Sequence, residues 1–183
     1  MSSQHSDRDQ ATEITRTALV DLLNEDLAGE YQAIISYVVY SQVLKGAQYM
    51  TIAAELEKHA TEELQHALII AGQIDYLGGM PVVSPKLVKT SDKAEDMLRF
   101  DLENENETIR RYRDRVGQCE ALGEFAVAEH IRDILVQEQD HQIALATALG
   151  VETPNVAKPE SGKAGKSTAR VRAGRNGAVM NAS

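Results

Sequence analysis

The sequence has little of what stabilises secreted proteins or anchors membrane proteins. It contains one cysteine, Cys119, so no disulfide can form within the chain. No stretch approaches the roughly 18 uninterrupted apolar residues of a transmembrane helix, and residues 1–10 lack the apolar segment of a secretory signal. These absences predict a cytoplasmic protein that does not enter a membrane.

Aromatic residues and proline are also scarce. Tryptophan is absent, aromatic residues make up 4% of the chain, and proline occurs 4 times. Hydrophobic residues nevertheless account for 43% of 183 residues, which is enough for one domain with a substantial core. Alanine, leucine and glutamate are frequent, and such side chains lose little conformational freedom in a helix. We therefore expect one all-α domain.

The net charge of −9 is unevenly distributed. Residues 1–152 carry 27 acidic and 13 basic side chains, whereas residues 153–183 carry one acidic and six basic ones. The acidic part is suited to attracting cations, and the basic end of the chain is suited to attracting polyanions.

Apolar residues recur with helical spacing in four segments. This periodicity predicts helices over residues 12–44, over 49–77, over about 92–119 with Ser91 or Asp92 as N-cap, and from the break at Gly123 to residue 149. Few large apolar residues lie outside these segments, so we expect residues 1–11 to form a flexible arm, residues 12–150 the folded domain and residues 151–183 a disordered basic tail.

The connections between the predicted helices are unequal in length. Residues 78–91 contain two prolines and no helical period, which indicates an extended crossover between helices 2 and 3. The other two connections are short, and short links favour antiparallel neighbours. The sequence therefore predicts an antiparallel four-helix bundle with one long crossover.

Each predicted helix has one glutamate in the middle of its apolar stripe. Every such glutamate has an apolar residue or tyrosine seven positions before and after it. Helices 2 and 4 also carry a histidine three positions after the glutamate, on the same helix face. The resulting candidate set is Glu30, Glu63, His66, Glu105, Glu138 and His141.

A single glutamate with a histidine three positions later is common on helix surfaces and indicates little. Four glutamates at one depth of a bundle are different, because carboxylates cannot all stay ionised in a low-dielectric interior without compensation. Two divalent cations would supply that compensation. Oxygen and imidazole ligands suit iron or manganese, and zinc can also bind.

These motifs give the chain a clear resemblance, over residues 12–150, to the ferritin-like superfamily and most of all to bacterioferritins. The matching stretches are residues 23–30 (LNEDLAGE), 62–67 (EELQHA), 101–105 (DLENE) and 138–141 (EQDH). The resemblance implies that the six candidate residues are di-iron ligands, with Glu63 and Glu138 bridging the metals. It also places Tyr37 beside the site; a core tyrosine with a hydrogen-bonded hydroxyl is the simpler alternative.

The same resemblance implies a ferroxidase that oxidises Fe(II) with O2 or H2O2 and stores the iron. It further implies a homo-oligomer, either a shell of 12 or 24 subunits or a smaller assembly. Leu64 stands where bacterioferritins carry their haem-binding methionine, so we expect no haem. Thr108 stands where rubrerythrins carry an additional glutamate, which argues against that class.

Other functions remain open from the sequence. The basic residues within 158–175 could bind DNA, as in Dps-type proteins that protect against oxidative stress, or could only keep the tail solvated. A manganese catalase or an oxygenase would share the ligand pattern. A cargo protein of a protein compartment is a further alternative. His59 is expected either to support the site or to be a satisfied interior histidine, and Cys119 to be a small buried hydrophobic residue.

Overall fold

The computed structural model describes residues 14–157, which form four long helices and no strand. The helices are α1 (Arg16–Val43), α2 (Met50–Tyr76), α3 (Ala94–Ala121) and α4 (Phe125–Leu149), with a short 3-10 turn at Ala47–Tyr49 before α2. Helix α1 packs mainly against α2, and α3 against α4; contacts of α1 with α3 and of α2 with α4 join the two pairs. The predicted all-α four-helix bundle is confirmed.

The helix boundaries differ from prediction mainly at the starts of α1 and α3. The Thr15 hydroxyl accepts a hydrogen bond from the Ala18 N–H at 3.1 Å, so α1 begins at Arg16 instead of near residue 12. The predicted N-cap of α3 at Ser91 or Asp92 is wrong, because Lys93 occupies that position. The Ser91 hydroxyl instead accepts from the Lys93 N–H and closes a turn just before the helix.

Two consecutive glycines end α2 for different reasons. Gly78 has a φ of 85°, a conformation that favours glycine because it has no Cβ. Gly79 lies against α1, where an added Cβ would approach Val20 Cγ1 to 2.4 Å. The chain can therefore turn closely around the end of α2 and enter the crossover.

The long crossover runs along α1 from its first half towards its C-terminal end. Near its beginning, the Asn24 side chain donates to the Met80 carbonyl at 3.2 Å and accepts from the Val82 N–H at 2.7 Å. Further along, the Gln32 amide donates to the Leu87 carbonyl at 2.8 Å, and the Tyr40 hydroxyl donates to the Lys89 carbonyl. This path confirms the predicted crossover between the second and third long helices.

The core consists of two apolar clusters with a polar layer between them. The lower cluster includes Leu19, Leu23, Leu27, Ile70, Ile74, Ile131 and Ile134. The upper cluster includes Tyr37, Tyr40, Leu56, Leu98, Leu102 and Leu145. The polar layer lies where the glutamates interrupt all four apolar stripes, so the fold positions it at mid-height of the bundle.

Several predictions concern parts of the chain outside the described residues. The arm at residues 1–11 lies there, as do the basic residues of 158–175, for which DNA binding and a solvated tail were both left open, so these remain predictions. Among residues 14–157, none of the helices combines the length and apolar character that crossing a membrane would require.

Candidate metal centre

The structure brings all six candidate residues together in the polar layer. Each is almost fully buried, with 1–3% of its surface exposed. One glutamate comes from each helix because each interrupts an apolar stripe at the same height. The histidines lie one helical turn after the glutamates of α2 and α4, so their rings project into the same layer.

The six residues form two groups of four ligand atoms that share Glu63 and Glu138. In one group these two join Glu30 and His66; in the other they join Glu105 and His141. The ligand atoms of each group lie within 4.8 Å of one another. Two adjacent metal sites with two shared carboxylates are therefore geometrically possible.

The imidazole nitrogens that face the carboxylates are the Nδ1 atoms. His66 Nδ1 lies 3.0 Å from Glu63 Oε2, 3.2 Å from Glu138 Oε1 and 3.4 Å from Glu30 Oε2. His141 Nδ1 lies 3.0 Å from Glu63 Oε1 and 3.7 Å from Glu138 Oε2. Each histidine thus points one nitrogen to the middle of the site and the other away from it.

The chemistry of these atoms fits bound cations. Several buried ligand atoms lack a hydrogen bond of acceptable geometry; they are Glu30 Oε2, Glu63 Oε1, Glu105 Oε2, Glu138 Oε1 and His141 Nδ1. Buried polar atoms without hydrogen-bond partners cost free energy, and here they form a cluster of potential metal ligands that face one another. Two divalent cations would bind these atoms and balance four carboxylate charges.

Without metal, bound protons balance part of the negative charge of the four buried carboxylates. Burial, together with neighbouring carboxylates, raises the pKa of Glu30 and of Glu105 well above the usual range. Burial also raises the pKa of Glu63 and Glu138, but hydrogen bonds with the two histidines outweigh it and leave both values lowered. The shared glutamates are therefore the ionised ones.

The histidine pKa values shift in the complementary direction. Burial lowers the pKa of His141, but contacts with Glu138 and Glu63 outweigh this effect and raise it to about 10. The pKa of His66 is raised by the same kind of contacts, with Glu138, Glu30 and Glu63, against the effect of burial. Both rings are therefore imidazolium ions near neutral pH in the metal-free site.

Two tyrosines hold the glutamates that are not shared. The Tyr37 hydroxyl donates to Glu105 Oε1, and the Tyr112 hydroxyl donates to Glu30 Oε1. The position of Tyr37 beside the site agrees with the sequence analysis, which did not single out Tyr112. Its place seven residues after Glu105 on the same stripe was the available signal.

Two further polar residues contact the outer nitrogens of the histidines, and sequence reasoning missed both. His141 Nε2 lies 3.0 Å from Glu62 Oε2, and His66 Nε2 lies 3.2 Å from Gln137 Oε1. Each of these residues immediately precedes a shared glutamate. Their position next to the motif was a signal, but a helix wheel alone does not show that each reaches a histidine of another helix.

His59 lies inside the bundle next to the site. It is 2% exposed, its ring stacks on His141 with centroids 4.0 Å apart, and it meets Tyr37 edge-on at 5.4 Å. Its Nδ1 has no hydrogen-bond partner among the described residues, so the expected interior position is found without the expected polar partner. Burial and the neighbouring His141 lower the pKa of His59 to about 4, so the ring is neutral.

A pocket between α1 and α3 borders the carboxylates. Its lining includes the exposed Glu107 and all four buried glutamates of the site. Lys86 of the crossover and Arg111 of α3 also line it. Burial and the nearby Arg111 guanidinium lower the pKa of Lys86. Acidic and basic side chains therefore line this pocket together.

Comparisons with known proteins agree with this arrangement. Residues 20–152 match the ferritin-like domain family. A ferritin-like diiron-carboxylate protein of Bacillus anthracis str. Ames is 34% identical, with a TM-score of 0.71 over 73% of this chain and 96% of that one. The dodecameric thioferritin of Bacteroides fragilis, a bacterioferritin-related protein, is 28% identical, with a TM-score of 0.69 over 75% of this chain and 88% of that one.

A curated relative gives the same result. The bacterioferritin of Desulfovibrio desulfuricans is 28% identical over 127 residues, which cover 69% of this chain and 71% of that protein. The family match spans well over half of the sequence and includes all six buried candidate ligands. The chain therefore belongs to the ferritin-like domain family.

Proposed function

We propose that this protein is a cytoplasmic ferroxidase of the iron-storage type, which oxidises Fe(II) with O2 or H2O2 at a site inside each subunit. The observation that carries the proposal is the pair of four-ligand groups that share Glu63 and Glu138. An ordinary structural network would not leave several of its buried oxygen atoms without partners.

The residues divide into two sets by role. Glu63 and Glu138 would bridge two iron ions, while Glu30 with His66 and Glu105 with His141 would each complete one position. Two Fe(II) ions held there would each lose one electron and become Fe(III), so that O2 with two protons would become H2O2, or H2O2 with two protons would become two water molecules. The mixed oxygen and nitrogen ligands suit iron, and the same set also accepts manganese or zinc.

The remaining residues of the site orient ligands and handle protons. The hydroxyls of Tyr37 and Tyr112 fix the carboxylates of Glu105 and Glu30. Cations must displace the protons of the two imidazolium rings, so metal binding releases protons close to where reduction of the oxidant consumes them. The apolar clusters above and below the layer exclude bulk water.

We also propose that the chain acts as a homo-oligomer without haem. One of the related structures is dodecameric. On this chain, α1 and α2 expose large apolar side chains, here called the α1–α2 face: Ile35, Val38, Leu64 and Leu68, which are 40–59% exposed. An apolar patch of this kind marks a protein contact surface. Leu64 lies on this face and has no atom that can bind haem iron.

The test is oxidation of Fe(II) added anaerobically and then exposed to O2. The wild type should oxidise it much faster than buffer does. Glu138→Gln removes a bridging carboxylate and should slow the reaction by more than about 100-fold, because even partners outside the ligand shell change activity 10–100-fold. Glu129→Gln, an exposed change on the same helix, is the matched control.

Equal rates for the wild type, Glu138→Gln and buffer would contradict the proposal. Manganese in protein from unsupplemented cells, with catalase activity, would instead favour a manganese catalase. A gel shift that depends on residues 158–175 and weakens with salt would add the Dps-type DNA contact to the function.

A further inference from the structure

The outer nitrogens of the two candidate histidine ligands have chemically different partners. His141 Nε2 lies 3.0 Å from a carboxylate oxygen of Glu62. His66 Nε2 lies 3.2 Å from the amide oxygen of Gln137. The two histidines share three features: each follows a shared glutamate by three residues, is 1% exposed and turns Nδ1 to the middle of the site.

The two partners occupy equivalent positions in the sequence and act crosswise. Glu62 immediately precedes Glu63 on α2 and reaches the histidine of α4. Gln137 immediately precedes Glu138 on α4 and reaches the histidine of α2. The bundle is therefore nearly symmetric at this point, and the exchange of a carboxylate for an amide is a chemical difference between two matching places.

The hydrogen-bond direction follows from the ligand role. If Nδ1 binds a cation, Nε2 must carry the ring proton and donate it to its partner. A carboxylate accepts this proton in a charge-assisted bond and makes the ring a stronger ligand. A neutral amide oxygen orients the ring in the same way, but it accepts a weaker hydrogen bond and therefore makes the ring a weaker ligand than a carboxylate does.

The surroundings of Glu62 leave its charge available to His141. Within residues 14–157, the lysine or arginine that pairs with it is Lys58 at 3.5 Å, and the side chains of Glu62 and Lys58 are 27% and 65% exposed. Solvent screens such a pair, so it offsets little of the Glu62 charge. On its other side, His141 is held by the stacked ring of His59.

We infer that Glu62 and Gln137 make the two metal positions unequal, so that the position served by His141 binds a divalent cation more tightly and fills first. Both are positioning residues, because they act through the histidines and not on the metal. The inference rests on the proposed function, since it presupposes that the site takes two cations. It assigns the weaker, faster-exchanging position to His66.

The test is an anaerobic titration of the full-length protein with Co(II), followed by calorimetry and by the visible absorption of the bound ion. The wild type should bind two ions per chain in two steps that differ by roughly 10–100-fold in affinity, the range expected for outer hydrogen-bond partners. Glu62→Gln should weaken only the tighter step by a similar factor. Gln137→Glu should strengthen only the weaker step.

Controls separate this effect from general damage. Lys58→Gln removes the surface partner of Glu62 and should leave both steps unchanged. Circular dichroism checks that each variant keeps its helices, and both substitutions preserve side-chain size. Two equal steps in the wild type, or an equal shift of both steps in Glu62→Gln, would overturn the inference while leaving a two-metal site intact. Failure of the wild type to bind two ions would overturn the proposed function as well.

Discussion

At the scale of single residues, the candidate site balances its charges in two alternative ways. With metal absent, His66 and His141 are protonated because their pKa values are raised, and their positive charges balance the ionised Glu63 and Glu138. Burial and neighbouring carboxylates raise the pKa of Glu30 and of Glu105, which favours their neutral forms. With metal present, cations would take over this role and all four carboxylates could ionise. We therefore expect a rise in pH to destabilise the metal-free protein and bound metal to stabilise it.

The first prediction concerns the pH dependence of stability without metal. A group whose pKa is raised by folding stabilises the fold below its unfolded value, and this contribution is lost as pH rises through the folded value. For His141 the window runs from 6.5 to about 10. His66 and the two neutral glutamates act in the same direction. The melting temperature in chelator, followed by circular dichroism, should therefore fall between pH 6.5 and 10.

A matched variant identifies the source of this fall. Glu30→Gln keeps the shape of the side chain but cannot ionise, so its melting temperature should fall less over the same pH range. Saturating Zn(II) should restore more stability at pH 8 than at pH 6, because cations and protons compete for the same atoms. A melting temperature that rises from pH 6.5 to 10 in chelator would contradict the assigned proton positions.

The identities of the buried site residues were predictable, but their partners were not. Glu30 and Glu105 stand out in the sequence because they interrupt apolar stripes at heptad spacing. The bonds from Tyr37 to Glu105 and from Glu62 to His141 join residues 68 and 79 positions apart. Such contacts depend on the rotation and height of separate helices, and helical periodicity fixes neither.

At the scale of elements, a buried ion pair links α1 to α3. Asp26 is fully buried and accepts from Arg115 Nε at 2.7 Å and from Arg111 Nε at 3.1 Å. Arg115 is itself only 3% exposed. This network lies between helices that belong to different hairpins, so it helps to fix how the two hairpins dock and thereby the height of Glu30 relative to Glu105.

The second prediction is that Asp26→Ala strongly destabilises the fold. The change leaves the buried Arg115 guanidinium without its carboxylate, and breaking such a pair costs about 3–5 kcal/mol. Chemical denaturation of the metal-free protein measures the loss. Glu95→Ala breaks the exposed pair with Arg99 on α3 and should cost less than about 1 kcal/mol. Equal losses in the two variants would show that the buried network does not hold the hairpins together.

The helices themselves followed from the sequence more closely than their ends did. The apolar stripes placed all four helices and the crossover, because burial of a stripe requires helical periodicity. The start of α3 was mispredicted because Ser91 and Asp92 are both good N-cap types, whereas the structure uses Lys93 and turns Ser91 to other partners. Several residues can satisfy a helix terminus, so composition alone does not select one.

At the scale of the whole molecule, the α1–α2 face is an apolar surface that the bundle's own core does not use. Val38 of α1 and Leu64 of α2 line one shallow groove on this surface. Ile35 and Val83 line a second groove, and Ile34 lines both. The inner apolar stripes of the helices pack against one another in the core. The outer apolar side chains of this surface are therefore either covered by another molecule or exposed to water. In a homo-oligomer, a second copy of the chain would cover it.

The third prediction is that Val38→Glu prevents this assembly. Val38 is 51% exposed on α1, so a charge there is tolerated by a lone subunit but would be desolvated in a contact between subunits. Light scattering on a sizing column should show the wild type as an oligomer and the variant as a smaller species with unchanged helix content. Val136→Glu places the same charge at a position 62% exposed on α4, away from the α1–α2 face, and should leave the mass unaltered. An unchanged mass for Val38→Glu would locate the contact elsewhere, and loss of assembly in both variants would show that the effect is not specific to the α1–α2 face. A monomeric wild type would remove the homo-oligomer from the proposed function.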